Sequence, residues 1–97
     1  MADEARLELN RERSRYELWL DQELAGTLKI REEPDVVVLV ATRVDPSFEG
    51  HGYGSQLVVK ALADARKAGT KVEIECDFAQ AYVRRHPEQQ DVLLSGS

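Results

Sequence analysis

Apolar and polar residues alternate through the first third of the chain. Leu7 and Leu9 form one alternating pair, and Tyr16, Leu18 and Leu20 form another set, with Trp19 making that segment apolar on both sides. Leu24, Gly26, Leu28 and Ile30 continue the pattern. A period of two predicts strands with one buried face. The polar pieces Arg11-Glu12-Arg13-Ser14 and Asp21-Gln22-Glu23 are short enough for hairpin turns, and Glu32-Glu33-Pro34-Asp35 marks a break. The run Val36-Val37-Val38-Leu39-Val40-Ala41 is continuous and rich in β-branched residues. It predicts a central strand buried on both faces, ended by Asp45-Pro46-Ser47 because proline cannot donate to a ladder.

The period then changes. Across residues 52–68, Leu57, Val58, Ala61, Leu62 and Ala65 make one apolar helical stripe, with Lys60, Asp64, Arg66 and Lys67 largely off it. Arg66 and Lys67 suit the negative end of the helix dipole, and Gly69 suits the C-terminal cap. Residues 71–76 predict a strand with Val72, Ile74 and Cys76 on one face and Glu73 and Glu75 on the other. A short helix over residues 78–85 should end at Pro87, and the last residues, Ser95-Gly96-Ser97, should fray. The order is four strands, a helix, a strand and a helix. The fold class is therefore α+β: antiparallel N-terminal strands, then a β-α-β-α unit with a parallel strand pair.

Composition narrows the function. With 97 residues, the chain is expected to be a single domain spanning residues 1–97. Its net charge of −5 argues against a nucleic-acid binder. No apolar stretch approaches the roughly 20 residues of a membrane span, and no signal-peptide pattern opens the chain. The expectation is a cytoplasmic protein with no membrane partner. The one cysteine, Cys76, excludes an internal disulfide, and His51 and His86 lack ligand spacing, so no metal site is expected.

The chemistry concentrates in Glu49-Gly50-His51-Gly52-Tyr53-Gly54-Ser55, between the buried strand and the helix. Alternating glycines let the backbone bend and approach a ligand closely. The following helix offers unpaired N–H groups and a positive dipole end, so the loop suits a pyrophosphate. Its spacing is neither the dinucleotide fingerprint nor the P-loop. The alternative is a glycine-rich turn with no ligand.

The loop does resemble the acetyl-coenzyme A loop of the GNAT-type N-acetyltransferases, Gln/Arg-x-x-Gly-x-Gly/Ala, with Gly52-Tyr53-Gly54 in the glycine part and Glu49 at the Gln/Arg position. Residues 36–92 further resemble a subfamily of very small members, through Ala41-Thr42-Arg43-Val44, Ala61-Leu62-Ala63-Asp64-Ala65-Arg66, Cys76-Asp77-Phe78 and Tyr82-Val83-Arg84-Arg85-His86-Pro87-Glu88. This likeness implies a GNAT-like mixed sheet, acetyl-CoA as co-substrate and an amine acceptor, small molecule or protein, that it does not name. It also implies that Gly50, His51, Gly52, Tyr53, Gly54 and Ser55 hold the pyrophosphate. Val44, at the strand end, would meet the pantetheine arm, and a gap beside residues 72–76 would receive the acetyl group.

Four positions depart from the pattern. Ala41 replaces a family histidine and Arg43 a family glutamate, which removes any acid–base role there. Glu49 sets a carboxylate beside the pyrophosphate, and Asp77 replaces the proline after the cysteine. The candidate catalytic residues are Tyr82 and Cys76. The Tyr82 hydroxyl would protonate the leaving sulfur, or the ring simply covers the sheet. Cys76 would be a nucleophile, or an ordinary buried thiol. His86 would be a base, or a cation at the helix end favoured by the dipole, and Arg84 and Arg85 would reach coenzyme A phosphates, or are simply solvated. The functional expectation is an N-acetyltransferase that works as a monomer; the alternative is an acyl-CoA binding or sensing domain with little turnover.

Overall fold

The computed structural model describes residues 5–94. Strands β1 (Ala5–Asn10), β2 (Arg15–Leu20), β3 (Glu23–Glu33) and β4 (Val36–Val44) form an antiparallel meander. Helix α1 (Tyr53–Ala68) then crosses to β5 (Lys71–Ile74), which pairs with β4 in parallel, and the sheet order is β1-β2-β3-β4-β5. Helix α2 (Asp77–Arg85) and a 3-10 helix, Pro87–Val92, follow. The expected α+β mixed sheet is therefore present.

The turns are tight for identifiable reasons. Asp21 and Asp35 sit in the left-handed region at φ 54 and 67, which aspartate tolerates better than most side chains. At the second of these, the ladder runs on through Glu33, and only Pro34 and Asp35 make the turn. The expected four-residue break is thus half strand, because Glu32 and Glu33 retain register partners Val37 and Val36.

All described helices lie on one face of the sheet. The α1 stripe Leu57, Val58, Ala61, Leu62 and Ala65 is buried against Tyr16, Leu18, Leu28, Ile30 and Leu39, and α2 adds Ala79, Tyr82 and Val83 to the same cluster. Gly26 sits where β3, β4 and α1 converge. A Cβ there would lie 3.1 Å from the Arg43 carbonyl oxygen and 3.2 Å from Leu57 Cδ1.

Two bulges shift which residues face that core. Leu18 pairs with Gly26 but Trp19 pairs with Leu24, so Ala25 is the extra residue, and it is fully buried while Leu24 is only half-buried. The simple alternation from Leu24 is corrected accordingly. In β4, Ile30 pairs with Leu39 and Lys29 with Ala41, leaving Val40 unpaired with β3. The central strand is buried on both faces only at Val38 and Leu39, while Ala41 is exposed. Val38 points away from the helices. The Arg31–Glu75 ion pair, at 3.1 Å, reaches from β3 across β4 to the residue after β5, over this position.

The strand expected over residues 71–76 ends at Ile74, and the last helix starts at Asp77 with Cys76 as its N-cap. Pro87 ends α2 as expected, but opens a 3-10 helix that had no sequence signal of its own. Leu93 then bridges β5 at Val72, where the Leu94 N–H donates to the Val72 carbonyl at 2.8 Å. Residues 95–97, expected to fray, lie outside the described residues.

Candidate functional site

The site begins where β4 and β5 separate. Their parallel pairing stops at Leu39 and Ile74, and the N–H groups of Glu75 and Cys76 both converge on the Leu39 carbonyl, at 2.9 and 3.2 Å. Strand β4 continues for another five residues without that neighbour. The Asp45 N–H donates to Ala25 on β3. By strand alternation, Thr42 and Val44 turn their backbone N–H and C=O toward the open side. These are hydrogen-bonding groups on offer to an extended ligand.

The chain then turns through a 3-10 helix, Pro46–Phe48, where the Ser47 N–H donates to the Asp45 side chain at 2.9 Å. Gly50 and Gly52 follow, both left-handed at φ 89 and 79. Nothing lies within 4 Å of where their Cβ atoms would be, so both positions face open space. Gly52 is the N-cap of α1 and provides no side-chain cap. The N–H groups of Tyr53, Gly54 and Ser55 therefore lack intrahelical acceptors, and no acidic residue stands in the first turn. A 16-residue helix presents a partial positive charge there. Uncapped donors, a glycine approach and open space together fit a pyrophosphate.

A cleft of about 380 Å³ joins the loop to the open edge of β4. Of the residues that the sequence assigns to cofactor binding, Val44, Gly50, Gly52, Tyr53, Gly54 and Ser55 all line it. His51 does not; it is exposed and stacks on Tyr53, with ring centroids 5.5 Å apart. Glu49 lines the cleft as well.

The structure treats the two candidate catalytic residues differently. Cys76 is buried at the fork, its sulfur 3.1 Å from the Thr42 hydroxyl, and Thr42 lines the cleft. Tyr82 is part of the core and lies outside the cleft walls, stacked on His86 with centroids 4.2 Å apart. His86 in turn pairs with Glu88 at 3.2 Å.

Three lining residues escaped the sequence reading: Thr42, Phe48 and Phe78. Phe78 lies over the first turn of α1. A Cβ on Gly54 would be 2.9 Å from the tip of its ring, and Phe78 as a whole stays 41% exposed at the cleft mouth. Its presence in Cys76-Asp77-Phe78 was the available signal, but only the fold brings it over Gly54.

Among the described residues, no group of three or more His, Cys, Asp or Glu side chains could hold a metal ion. No described helix is long and apolar enough to cross a membrane.

The comparisons agree with this architecture. A family model described as GCN5-related N-acetyl-transferase matches residues 15–92. The uncharacterized N-acetyltransferase YvbK of Bacillus subtilis (strain 168) is 36% identical over 55 residues, which cover 56% of this chain and 36% of that relative. The match thus spans just over a third of the curated relative's length. Among solved structures, a GCN5-like protein from Staphylococcus aureus superposes with a TM-score of 0.72 at 20% identity, over 92% of this chain and 87% of that one. A Bacillus subtilis acetyltransferase crystallised with CoA superposes with a TM-score of 0.63 at 25% identity, over 86% and 74% respectively.

Proposed function

The chain belongs to the GCN5-related N-acetyltransferase family, and from that membership and the cleft's geometry we propose that it binds acetyl-CoA and transfers the acetyl group to an amine. One observation carries the reading: an uncapped helix N-terminus, approached by left-handed glycines, opens into a cleft that runs to the unpaired edge of β4. The pyrophosphate sits on the N–H groups of Tyr53, Gly54 and Ser55. The pantetheine arm lies along Val44 and Thr42, and the thioester reaches the fork beside Leu39 and Cys76. The CoA in the crystal structure of the Bacillus subtilis acetyltransferase supports CoA as the ligand of this fold.

In the transfer, the amine nitrogen forms a bond to the acetyl carbon, the C–S bond breaks, and the departing thiolate gains a proton while the amine loses one. The residues at the fork are few. Backbone N–H groups of the bulged stretch around Val40 stabilise the developing oxyanion. The Thr42 hydroxyl, beside the Cys76 thiol, donates a hydrogen bond to the leaving thiolate, which takes its proton from solvent. The buried place of Tyr82 against His86 speaks for packing and against the acid role.

A second reading, binding with little turnover, is favoured by Ala41 and Arg43, which supply no base beside the fork. Calorimetric titration with acetyl-CoA, followed by a thiol-release assay over an amine panel, separates the two. Binding with release establishes the enzyme, and binding without release establishes the sensor. No binding at millimolar ligand rejects both.

A further inference from the structure

On the sheet face turned away from the helices, two cations stand outside the ion pairs, on a chain of net charge −5. On that face, Arg6 pairs with Glu8, Arg15 with Glu17, and Arg31 with Glu33 and Glu75. Lys29 and Arg43 are exposed and, among the described residues, take part in none of the ion pairs. Lys29 stands opposite Ala41, and Arg43 opposite Thr27. The two cations are therefore diagonal neighbours across β3 and β4, about 7–8 Å apart by sheet geometry. Between them lie only a methyl group and a threonine.

Their position relative to the fork gives them meaning. Thr42 and Val44 face the helix-side cleft, so Ala41 and Arg43 face the other way. Beyond Leu39, β4 has no β5 neighbour to close the sheet. A thioester held in the helix-side cleft is thus open to attack from the opposite face, past Ala41. A second cleft, of about 250 Å³, lies on β3 and β4 beside Thr27 and Arg43 and shares Val44 with the first. Of the carboxylates nearby, Glu17 is buried and bonded to Asn10, Arg15 and Trp19, while Asp45, at the end of the second cleft, accepts from the Ser47 N–H and keeps its charge as the local counterweight to Arg43. Glu73 lies farther off, on β5.

We propose that the acceptor enters by this face and carries carboxylates close to its amine, as an acidic amino acid or the amino terminus of an acidic peptide does. Lys29 and Arg43 attract the carboxylates and repel cationic amines. They also disfavour protonation of the incoming amine, which raises the share of nucleophilic free amine at a fork where Ala41 offers no base. This inference rests on acetyl-CoA occupying the helix-side cleft.

The test uses glutamate and three short peptides with free amino termini, followed by two glutamates, two alanines or two lysines. Thiol release is measured with acetyl-CoA at low and moderate salt, and acetyl-CoA binding is measured separately by calorimetry. The expected result is a kcat/KM about tenfold higher for the glutamate peptide than for the lysine peptide, shrinking with salt. Lys29→Ala with Arg43→Ala should erase that preference while leaving acetyl-CoA affinity unchanged. Turnover of the amino acid alone or of the peptide alone identifies the source. Equal or reversed preference, or a preference that survives the double substitution, overturns the inference.

If acetyl-CoA binds but no thiol is released, peptide binding is read through the fluorescence of Trp19, which lies on the same face; the same ranking is then required. If acetyl-CoA does not bind, the functional reading fails by itself. Binding of the glutamate peptide to the free protein then decides whether the cationic face recognises carboxylates.

Discussion

The Thr42 hydroxyl and the Cys76 sulfur lie 3.1 Å apart across the fork between β4 and the start of α2. Thr42 lines the cleft while Cys76 is buried behind it, so the hydroxyl is the group of the pair that can meet a bound thioester. Removing one hydrogen-bond donor to the developing negative charge costs about 10²–10³ in rate. Thr42→Val keeps the shape and removes the hydroxyl. It should lower thiol release by about 100-fold while the calorimetric affinity for acetyl-CoA stays near that of the unaltered protein. Unchanged turnover would reduce the pair to packing. Cys76→Ala should preserve binding, and full activity in that variant would exclude an acetyl-cysteine intermediate.

The glycine loop makes a sharper demand. Gly52 sits at φ 79 with open space beyond its missing Cβ. A side chain there costs about 1–2 kcal/mol in backbone strain and projects toward the pyrophosphate path. Gly52→Val should abolish detectable acetyl-CoA binding while the far-ultraviolet circular dichroism remains that of a folded chain. Binding at unaltered affinity would remove the loop from the site.

Gly54 is constrained by Phe78 instead of by its own backbone. An alanine Cβ would come within 2.9 Å of the ring tip, and the ring must swing away. Gly54→Ala should therefore destabilise the protein and loosen the cleft mouth. Phe78→Ala should relieve that clash, so the double variant should be more stable than the two single losses added together, by about 0.5 kcal/mol or more. Thermal or urea unfolding of the four proteins completes the cycle, and strict additivity would mean that the ring moves freely.

Local rules explain which parts of this site were visible in the sequence. The loop was legible because Gly50 and Gly52 hold left-handed φ angles and lead directly into an amphipathic helix. The sheet order and the α1 stripe were legible because burial on one face imposes a period. The bulges were not. Residues 24–25 and 40 read equally well as regular strand, since inserting one residue changes the pairing and leaves composition untouched. These bulges decide that Ala25 enters the core and that Thr42, not Arg43, faces the cleft. Tyr82 shows the converse: the family pattern marks the position, but stacking on His86 places the ring in the core. Phe78 over Gly54 and Thr42 beside Cys76 are tertiary meetings, separated by 24 and 34 positions in the chain.

Glu17 gives the fold an acid limit. Only 4% of it is exposed, on the helix-free face of β2. Burial alone pushes its carboxyl up, but hydrogen bonds from Arg15, Trp19 and Asn10, at 2.9–3.1 Å, together outweigh that and hold it below the usual glutamate value. A carboxyl lowered on folding adds stability above its unfolded pKa and gives it up as pH falls through the folded value. The contribution should therefore be complete at neutral pH and vanish in the acid range below the ordinary glutamate pKa. Glu17→Ala leaves the Trp19 indole N–H and the Asn10 amide without their acceptor, and should cost about 1–3 kcal/mol at pH 7. Urea unfolding monitored by Trp19 fluorescence at neutral and acid pH checks both statements. The gap between the unaltered protein and the variant should be wide at neutral pH and narrow in acid; a gap that does not change with pH would mean that Glu17 stabilises β1 and β2 by packing alone.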